Sequence, residues 1–214
     1  MKTLIILIIG TVIISACVGE KAQENFRTGE KYYKGLGVNQ DYAEALKWFL
    51  KAANQGNANA EYLLGLMYFN GQGVPQNDEE ALKWVLKSAN QGNADAQSGL
   101  GTMYVSGQVV TQDYAEALKW FLKAANQGNA NAEYLLGILY SNGVGVITKD
   151  YGESIKWFRK AADQGDAGGQ AQLGIMYYHG NGVTKNLTEA KKWLGKAAAQ
   201  GNEVALQLLN KMKE

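Results

Sequence analysis

One short phrase occurs five times in this sequence, and the repetition constrains the fold more than any other feature. Its clearest copy is Ala-Leu-Lys-Trp, which ends at Trp48 and is followed by a Gln-Gly pair that ends at Gly56. Both return at intervals of 36, 36, 37 and 36 residues. The later copies are Trp84, Trp120, Trp157 and Trp193, with Gly92, Gly128, Gly165 and Gly201. A fixed period of this length is typical of stacked repeat proteins, so we expect a repeat array.

The composition fits a folded protein and argues against one broad class of partner. The chain has 214 residues, of which 46% are hydrophobic, and this is enough for a sizeable core. Its 21 basic and 20 acidic residues give a net charge of +1. Binding to nucleic acid depends largely on basic groups that release counterions from phosphates, so this near-neutral chain is not expected to bind nucleic acid.

Residues 1–16 differ from the rest of the chain and predict a secretory signal peptide. Lys2 precedes an apolar stretch over residues 4–14, which is shorter than the roughly 20 residues that a membrane-spanning helix needs. The end of this segment, Ile-Ser-Ala-Cys with its cysteine at Cys17, resembles a bacterial lipobox, in which the leader is cut before a cysteine that receives lipid. The alternative is an ordinary leader with an incidental cysteine.

The predicted lipid at Cys17 implies a place in the bacterial cell envelope. Cys17 is the only cysteine, which excludes an intramolecular disulfide framework. Val18 follows it, and without an aspartate there the resemblance implies an outer-membrane lipoprotein, which we expect to face the periplasm. Residues 17–21 are predicted to form a lipidated stem before the folded part.

Each repeat contains two helical patterns, which we call A and B. The A pattern is clearest where Ala60, Leu64 and Tyr68 recur at i, i+4 and i+8, a spacing that places them on one face of a helix. A glycine follows the leucine position in each copy, although a glycine inside a helix costs about 1 kcal/mol relative to alanine. We expect these glycines to allow close approach of a neighbouring helix. They are Gly29, Gly65, Gly101, Gly137 and Gly174.

The B pattern begins with the same capping signal in every repeat. An Asp or Asn stands three residues before a glutamate, as Asp41 does before Glu44, and this pairing suits a helix N-terminus. The other pairs are Asn77 with Glu80, Asp113 with Glu116, Asp150 with Glu153, and Asn186 with Glu189. Helix B then carries the tryptophan on its apolar face, where we expect packing between repeats, and Gly56 ends the helix.

The two patterns divide residues 22–213 into five repeats and a final half-repeat. The repeats cover residues 22–56, 57–92, 93–128, 129–165 and 166–201. Residues 202–213 contain a sixth A pattern, which we predict to be a capping helix because stacked units need a cover at the end of the array. The expected fold is all-α, with eleven helices after the leader.

The array resembles the Sel-one-like repeat, a relative of the tetratricopeptide repeat. The residues of the second repeat that carry the resemblance are Ala60, Leu64-Gly65, Tyr68, Gly71-x-Gly73-Val74, Ala81-Leu82-x-Trp84 and Ala89-x-Gln91-Gly92. The resemblance implies a right-handed α/α superhelix, or solenoid, of about five helix pairs plus the capping helix, acting as a scaffold for protein contacts. The first repeat departs from the pattern, since Glu24 and Thr28 stand where the core alanine and leucine should be.

No motif in the sequence predicts catalysis or a cofactor. Residues that recur in every repeat are expected to be structural, because an active site is usually needed only once. His179 is the only histidine, so a histidine-based metal cluster or a His/Ser/Asp arrangement cannot be assembled. Cysteine-rich relatives linked to β-lactam binding or hydrolysis carry a pair of cysteines in each repeat, and this chain has none in its repeats. We expect a non-enzymatic protein without a cofactor or metal.

Partner binding is expected on the inner, concave surface, which A helices usually line. By analogy with tetratricopeptide repeats, the exposed positions lie one or two residues away from the Ala, Leu, Tyr stripe. These positions vary between repeats while the stripe stays constant, as a binding surface would. The residues predicted to line the groove are Phe26, Tyr33, Tyr62, Leu66, Phe69, Asn70, Tyr134, Ile138, Asn142, Ile175, Tyr178 and His179. Binding by an edge or a loop of the array is the alternative.

The sequence therefore predicts an envelope-anchored interaction scaffold that holds an extended peptide or a helix of a protein partner. Residues 40–65 and 112–137 are identical, which indicates a recent duplication of two repeats, so part of the groove is a copy. Two other functions stay open. One is an envelope enzyme or regulator of cell-wall metabolism of the β-lactam-binding type, and the other is a surface-exposed factor that binds host proteins.

Overall fold

The computed structural model describes the backbone of residues 2–213 and the side chains of residues 18–213. Its helices are α1 (Lys2–Lys34), α2 (Tyr42–Asn54), α3 (Ala58–Asn70), α4 (Asp78–Asn90), α5 (Ala94–Ser106), α6 (Tyr114–Ala125), α7 (Ala130–Asn142), α8 (Tyr151–Asp163), α9 (Ala167–His179), α10 (Leu187–Ala199) and α11 (Glu203–Lys211). No strand occurs in this part of the chain. Odd-numbered helices are the A helices and even-numbered helices are the B helices. The predicted all-α array of helix pairs is confirmed.

The helices pack in chain order within two compact units, residues 1–100 and residues 101–214. In the first unit, α1 packs against α2, α2 against α3, and α3 against α4, around a core that includes Phe49 and Leu64. In the second unit, each helix from α6 to α11 packs against the next, around cores that include Phe121 and Phe158. Sequential packing of helix pairs defines the solenoid class.

The predicted capping signal begins all five B helices. The side chain of Asp41 accepts a hydrogen bond from the backbone N–H of Glu44 at 2.9 Å. The other N-cap residues are Asn77, Asp113, Asp150 and Asn186, and each accepts in the same way. Glu44 in turn pairs with Lys47 at 2.8 Å, one helical turn further on. These ion pairs are exposed and contribute little, so the N-cap itself explains why each B helix begins at this point.

The A-helix glycines allow the close approach that the sequence predicts. A Cβ added at Gly65 would lie 2.5 Å from Val85 Cγ2 of α4, and one added at Gly29 would lie 2.6 Å from the Phe49 ring of α2. Carbon atoms do not approach this closely without a shift of one helix. The same contact joins Gly101 to Phe121, Gly137 to Phe158, and Gly174 to Leu194. The residue after the tryptophan is therefore the one that helix B inserts against helix A.

The tryptophans themselves differ in how far they are covered. Trp84 and Trp193 are buried in core clusters, which confirms the predicted packing role for these two. Trp48, Trp120 and Trp157 are only half-buried. In every repeat a lysine three residues later places its ammonium group over the indole, at 3.8 Å from the ring centre for Trp48. The Ala-Leu-Lys-Trp phrase therefore contributes residues to the exposed edge of each helix pair as well as to its core.

The first A helix buries a different face from the one that the other repeats predict. Ala22, Asn25, Phe26 and Gly29 are buried, whereas Glu24 is exposed. Phe26 is 8% exposed, and its ring centre lies 5.8 Å from that of Phe49, so the prediction that Phe26 lines a groove is wrong. The physical reason is that the Phe26 ring packs on Phe49 of α2, the B helix of its own repeat, in the core of the first unit.

The predicted signal peptide and the lipidated cysteine lie outside the residues whose side chains are described. Residues 18–21, which we expected to form a stem, are helical and belong to α1. Within the described residues, no helix combines the length and the apolar character that crossing a membrane requires.

Candidate binding surface

Tyr62 in α3 and Tyr134 in α7 occupy equivalent positions among the residues predicted to line the groove, and both are half-buried. A Cβ added at Gly99 would lie 3.3 Å from the Tyr62 ring, and one added at Gly168 would lie 3.0 Å from the Tyr134 ring. Each ring therefore lies against the next A helix at a glycine. These tyrosines join neighbouring helices and offer only one edge to a partner.

The environment of Tyr62 also sets its ionisation. Burial raises the pKa of the Tyr62 hydroxyl, and the negative charge of Asp95 raises it further. The hydroxyl therefore stays protonated throughout the physiological range. A protonated phenol can donate a hydrogen bond to a partner at this position.

Leu66 and Phe69 in α3 form a partly exposed apolar pair in the first unit. Both are half-buried, and residues three apart share one face of a helix. Neither belongs to the core cluster of that unit, among the residues that the structure describes. Asn70 follows and is exposed, so an amide lies beside the pair. We call Leu66, Phe69 and Asn70 the α3 patch.

Tyr33 was predicted to line the groove, but its contacts are structural. Its hydroxyl lies 3.1 Å from Gln72 Oε1, and its ring centre lies 5.3 Å from that of Tyr42 and 6.0 Å from that of Phe49. This residue holds the loops of the first two repeats together. It is not brought into the α3 patch.

In the second unit the predicted residues lie on two helices, α7 and α9. Ile138 packs on the core beneath α7, and Ile175 and Tyr178 pack on the core beneath α9. All three are half-buried, whereas Asn142 and His179 are exposed. The Tyr178 and His179 rings meet edge to face, with their centres 4.9 Å apart. This unit therefore presents partly covered apolar residues with a polar residue at the end of each helix.

Sequence reasoning missed a buried polar position that links helix A to the end of helix B in the same repeat. The residue after the core alanine is buried, and it bonds to the glutamine of the following Gln-Gly pair. In the first unit, Asn25 donates to Gln55 at 3.1 Å, and Gln91 donates to Glu61. In the second, Gln164 donates to Glu133 at 2.7 Å, and Gln200 donates to Gln170 at 2.9 Å. The signal was a polar residue at a constant place beside an apolar stripe, which indicates a buried hydrogen bond.

The negative charges of the two glutamates at this position, Glu61 and Glu133, are compensated in different ways. Lys87 Nζ lies 3.0 Å from Glu61 Oε1, so the first carboxylate has a cation beside it. Burial raises the pKa of the Glu133 carboxyl, although the hydrogen bond from Gln164 and the charge of Lys160 act in the opposite direction. Both glutamates join helices. Among the described residues, no group of three His, Cys, Asp or Glu side chains could hold a metal ion.

The geometry defines an α/α repeat protein whose constant residues build a frame and whose variable residues lie on the A helices. The sequence profile of the Sel1 repeat matches residues 25–57, 58–93, 94–129, 130–166 and 167–202. The chain therefore belongs to the Sel1 repeat family. Sel1 repeats generally bind protein partners.

Solved structures share this fold. A Sel1 repeat protein from Oxalobacter formigenes is 36% identical, with a TM-score of 0.86 over 89% of this chain and 78% of that one. The antigen c5321, a protective antigen present in uropathogenic Escherichia coli strains, is 41% identical, with a TM-score of 0.78 over 86% of this chain. Our chain covers 39% of that antigen. Helicobacter pylori cysteine rich protein B is 26% identical, with a TM-score of 0.50 over 62% of this chain and 95% of that one. A comparison with curated proteins found no match.

Proposed function

We propose that this protein is a non-enzymatic interaction scaffold of the bacterial cell envelope that binds a protein partner through its A helices. The observation that carries the proposal is the contrast between a constant buried frame and the α3 patch. Leu66 and Phe69 remain partly exposed although the frame does not need them, since the equivalent positions hold Thr102 and Ser141 in other repeats. A large aromatic residue such as Phe69 is the kind of anchor that can dominate binding energy.

The α3 patch fits an extended peptide or a helix that carries apolar side chains. Leu66 and Phe69 offer apolar contact along one side of α3, and the amide of Asn70 can donate and accept a hydrogen bond at its end. The Tyr62 hydroxyl supplies a further donor one turn earlier. A partner with two apolar residues flanked by polar backbone matches this arrangement.

The test of the α3 patch replaces its residues with those that occupy the equivalent positions in other repeats of the chain. Leu66→Thr with Phe69→Ser copies the residues at positions 102 and 141, so the frame should fold unchanged. The partner is first identified by crosslinking in intact cells, and its affinity for the purified protein is then measured by calorimetry. We expect the double variant to bind about tenfold to a hundredfold more weakly.

Leu36→Gln is the matched control for this experiment. Leu36 is 59% exposed in a loop of the same unit, and Gln72 and Gln108 occupy its place in later repeats. The control removes an exposed leucine without touching an A helix, so we expect it to keep the affinity of the original protein. An unchanged affinity in the Leu66 and Phe69 double variant would remove the α3 patch from the proposal.

We also propose that Cys17 carries a lipid that anchors the protein in the outer membrane, facing the periplasm. The proposal is supported by the apolar leader and the Ile-Ser-Ala-Cys sequence. Cys17→Ala should leave an uncleaved precursor that takes up no radiolabelled fatty acid. Cleaved and labelled protein in that variant would refute the anchor.

A surface-exposed position is the second candidate, and one observation favours it. The Escherichia coli relative with 41% identity is described as a protective antigen. A protein exposed on the cell would be digested by protease added to intact cells, whereas a periplasm-facing lipoprotein would be digested only after the outer membrane is opened. Protection in intact cells therefore supports the periplasmic arrangement.

A further inference from the structure

The first unit has an open edge at its N-terminal end, formed by α1 and the C-terminal half of α2. A pocket of about 520 Å³ lies there, lined by Lys21, Asn25, Trp48, Lys51, Asn54 and Gln55. Trp48 is half-buried, and its indole N–H donates to Glu44 at 3.0 Å. The pocket thus combines an aromatic ring with the ammonium groups of two lysines. We call these six residues the N-terminal edge.

The equivalent position is covered in the second repeat. Trp84 is 9% exposed and lies in a core cluster with residues of the preceding B helix. Its neighbour Lys87 lies 3.0 Å from a carboxylate oxygen of Glu61. In the first repeat Asn25 stands where Glu61 stands in the second, so Lys51 has no carboxylate at that position, and Trp48 is half-buried, as Trp120 and Trp157 are. The N-terminal edge therefore leaves Lys51 and part of the Trp48 ring accessible.

A second copy of the chain fits this edge poorly. At the other end of the array, α11 carries the apolar Leu206 where the second repeat carries Glu61, so this position offers no negative charge to the lysines of the edge. Asn210 replaces the glycine that lets a further helix approach closely. The helix α11 therefore ends the array and does not provide a complementary surface for the N-terminal edge.

The N-terminal edge lies beside the residue that we propose to be lipidated. Val18 follows Cys17 directly and is 45% exposed. Lys21 follows within the same helix, about 5 Å further along its axis. Because residues 18–21 are helical, a lipid on Cys17 would hold the edge close to the bilayer surface.

We propose that the N-terminal edge is a membrane-facing surface that contacts the anionic phospholipid headgroups of the bilayer in which the chain is anchored. The proposal rests on the proposed anchor at Cys17. Trp48 supplies an amphipathic ring of the kind that is enriched at membrane interfaces. Lys21 and Lys51 supply positive charge, which is attracted to an anionic lipid surface.

The acidic residues near this edge do not line the pocket. Glu20 and Glu24 are exposed on α1, but the charged residues that line the pocket are Lys21 and Lys51. The carboxylate of Glu44 is engaged by Lys47 at 2.8 Å. The charge that the pocket offers to the bilayer is therefore positive.

The test uses the mature chain from residue 17, coupled through the Cys17 thiol to maleimide-bearing phosphatidylethanolamine. The vesicles contain phosphatidylethanolamine, phosphatidylglycerol and a lipid with a nitroxide on its headgroup, which quenches tryptophan emission at short range. The thioether replaces the natural lipid, so the result does not depend on leader processing in cells. We expect quenching and a blue shift relative to the uncoupled protein, and Trp48→Phe should lose most of both.

The chain supplies a matched control for Trp48. Residues 40–65 and 112–137 are identical, and Trp120 is half-buried with Lys123 at 3.7 Å from its ring centre. Trp120→Phe is therefore expected to retain the lipid-dependent quenching. If Trp48→Phe is quenched as strongly as the original protein, the proposal is overturned and the edge belongs to a protein partner.

A charge reversal tests the headgroup contact separately. Lys51→Glu should reduce the quenching in vesicles that contain phosphatidylglycerol, and equal quenching would overturn the role of anionic headgroups. Circular dichroism and melting of the uncoupled variants establish that they fold. None of these measurements involves Leu66 or Phe69, so failure here is distinguishable from failure of partner binding at the α3 patch.

Discussion

At the scale of single residues, one buried polar position governs how the two helices of a repeat join. Gln170 is satisfied on both sides, since it donates to the backbone oxygen of Ala162 at 3.2 Å and accepts from Gln200. A carboxylate at this position can only accept. Lys87 supplies the missing donor beside Glu61, because its ammonium group also donates to Ala53 O at 3.4 Å. Charge and hydrogen bonding are thus balanced by different residues in different repeats.

Glu133→Gln is expected to raise the unfolding free energy at neutral pH. Burial raises the pKa of this carboxyl, so the folded state favours its protonated form. The original protein therefore loses stability as pH rises from the ordinary range of a glutamate through the raised pKa. An amide has no charge to bury, so the gain should be largest above that pKa and should shrink towards acidic pH. Urea denaturation at several pH values measures this difference.

Glu61→Gln is the matched control, because this carboxylate already has an ammonium group at 3.0 Å. We expect no gain in stability from this change, since it removes an ion pair along with the buried charge. An equal gain in unfolding free energy in both variants would contradict the inference that only the Glu61 carboxylate has its charge compensated by a nearby ammonium group. A Glu133→Gln variant that follows the original protein at every pH would do the same.

Trp84→Ala is expected to lower the unfolding free energy by about 3–5 kcal/mol, as other losses of buried aromatic residues do. Trp48→Ala removes the same residue from the same phrase, but its ring is only half-buried, so the loss should be clearly smaller. Guanidinium denaturation of the two variants gives the comparison. Equal losses would mean that packing between repeats does not distinguish the two tryptophans.

At the scale of helices, glycine has opposite effects according to what faces it. A Cβ at Gly174 in α9 would lie 2.7 Å from Leu194 Cγ, whereas no described atom lies within 4 Å of a Cβ at Gly195 in α10. The first glycine is required by close packing. The second has no contact that requires it, so helix propensity alone should govern its replacement.

Gly174→Ala should therefore lower the unfolding free energy by about 1–3 kcal/mol, as overpacking does in other cores. Gly195→Ala should raise it by about 0.5–1 kcal/mol, since alanine is the better helix former. Both changes add one methyl group in the same repeat, so melting temperatures compare them directly. Stabilisation by both substitutions would show that α9 and α10 can move apart without a loss of unfolding free energy.

Most of the helical frame could be predicted because its signals are local and occur five times. The caps at Asp41 and its equivalents, and the glycines such as Gly65, follow from spacing within one repeat. The burial of Phe26 could not be predicted in this way, because it results from contact with Phe49 on another helix. The bond between Gln164 and Glu133 joins residues 31 positions apart on two helices, so no local pattern reveals it. The candidate surface was predicted only in part, since Tyr33 and Phe26 serve the core.

At the scale of the whole molecule, stability should depend on each repeat being covered by the next. The helix α11 buries Ala205 and packs Leu209 and Met212 on the core that contains Leu194. In repeat arrays, stability is approximately a sum of repeats and their interfaces, so loss of an end cap acts mainly on its neighbour.

A chain that ends at residue 201 should therefore lose amide protection mainly in α10. Removal of α11 uncovers the apolar face around Leu194, while the contacts of α2, α3 and α4 are untouched. Hydrogen exchange measured by mass spectrometry resolves these helices. A chain that lacks only Lys213 and Glu214 is the control and should exchange normally. Faster exchange spread evenly over all helices would indicate a single cooperative unit.

The hydrogen bond between the two helices of each repeat also bears on how such a gene can change length. A glutamine side chain can donate or accept, so the glutamine of one Gln-Gly pair can join Asn25, Glu61 or Gln170 equally well. Recombination between two copies of the phrase would then create a new junction without a buried group left unpaired. The identical segments 40–65 and 112–137 are the product expected from such an exchange. Tolerance at this one side chain makes the number of repeats an evolvable quantity.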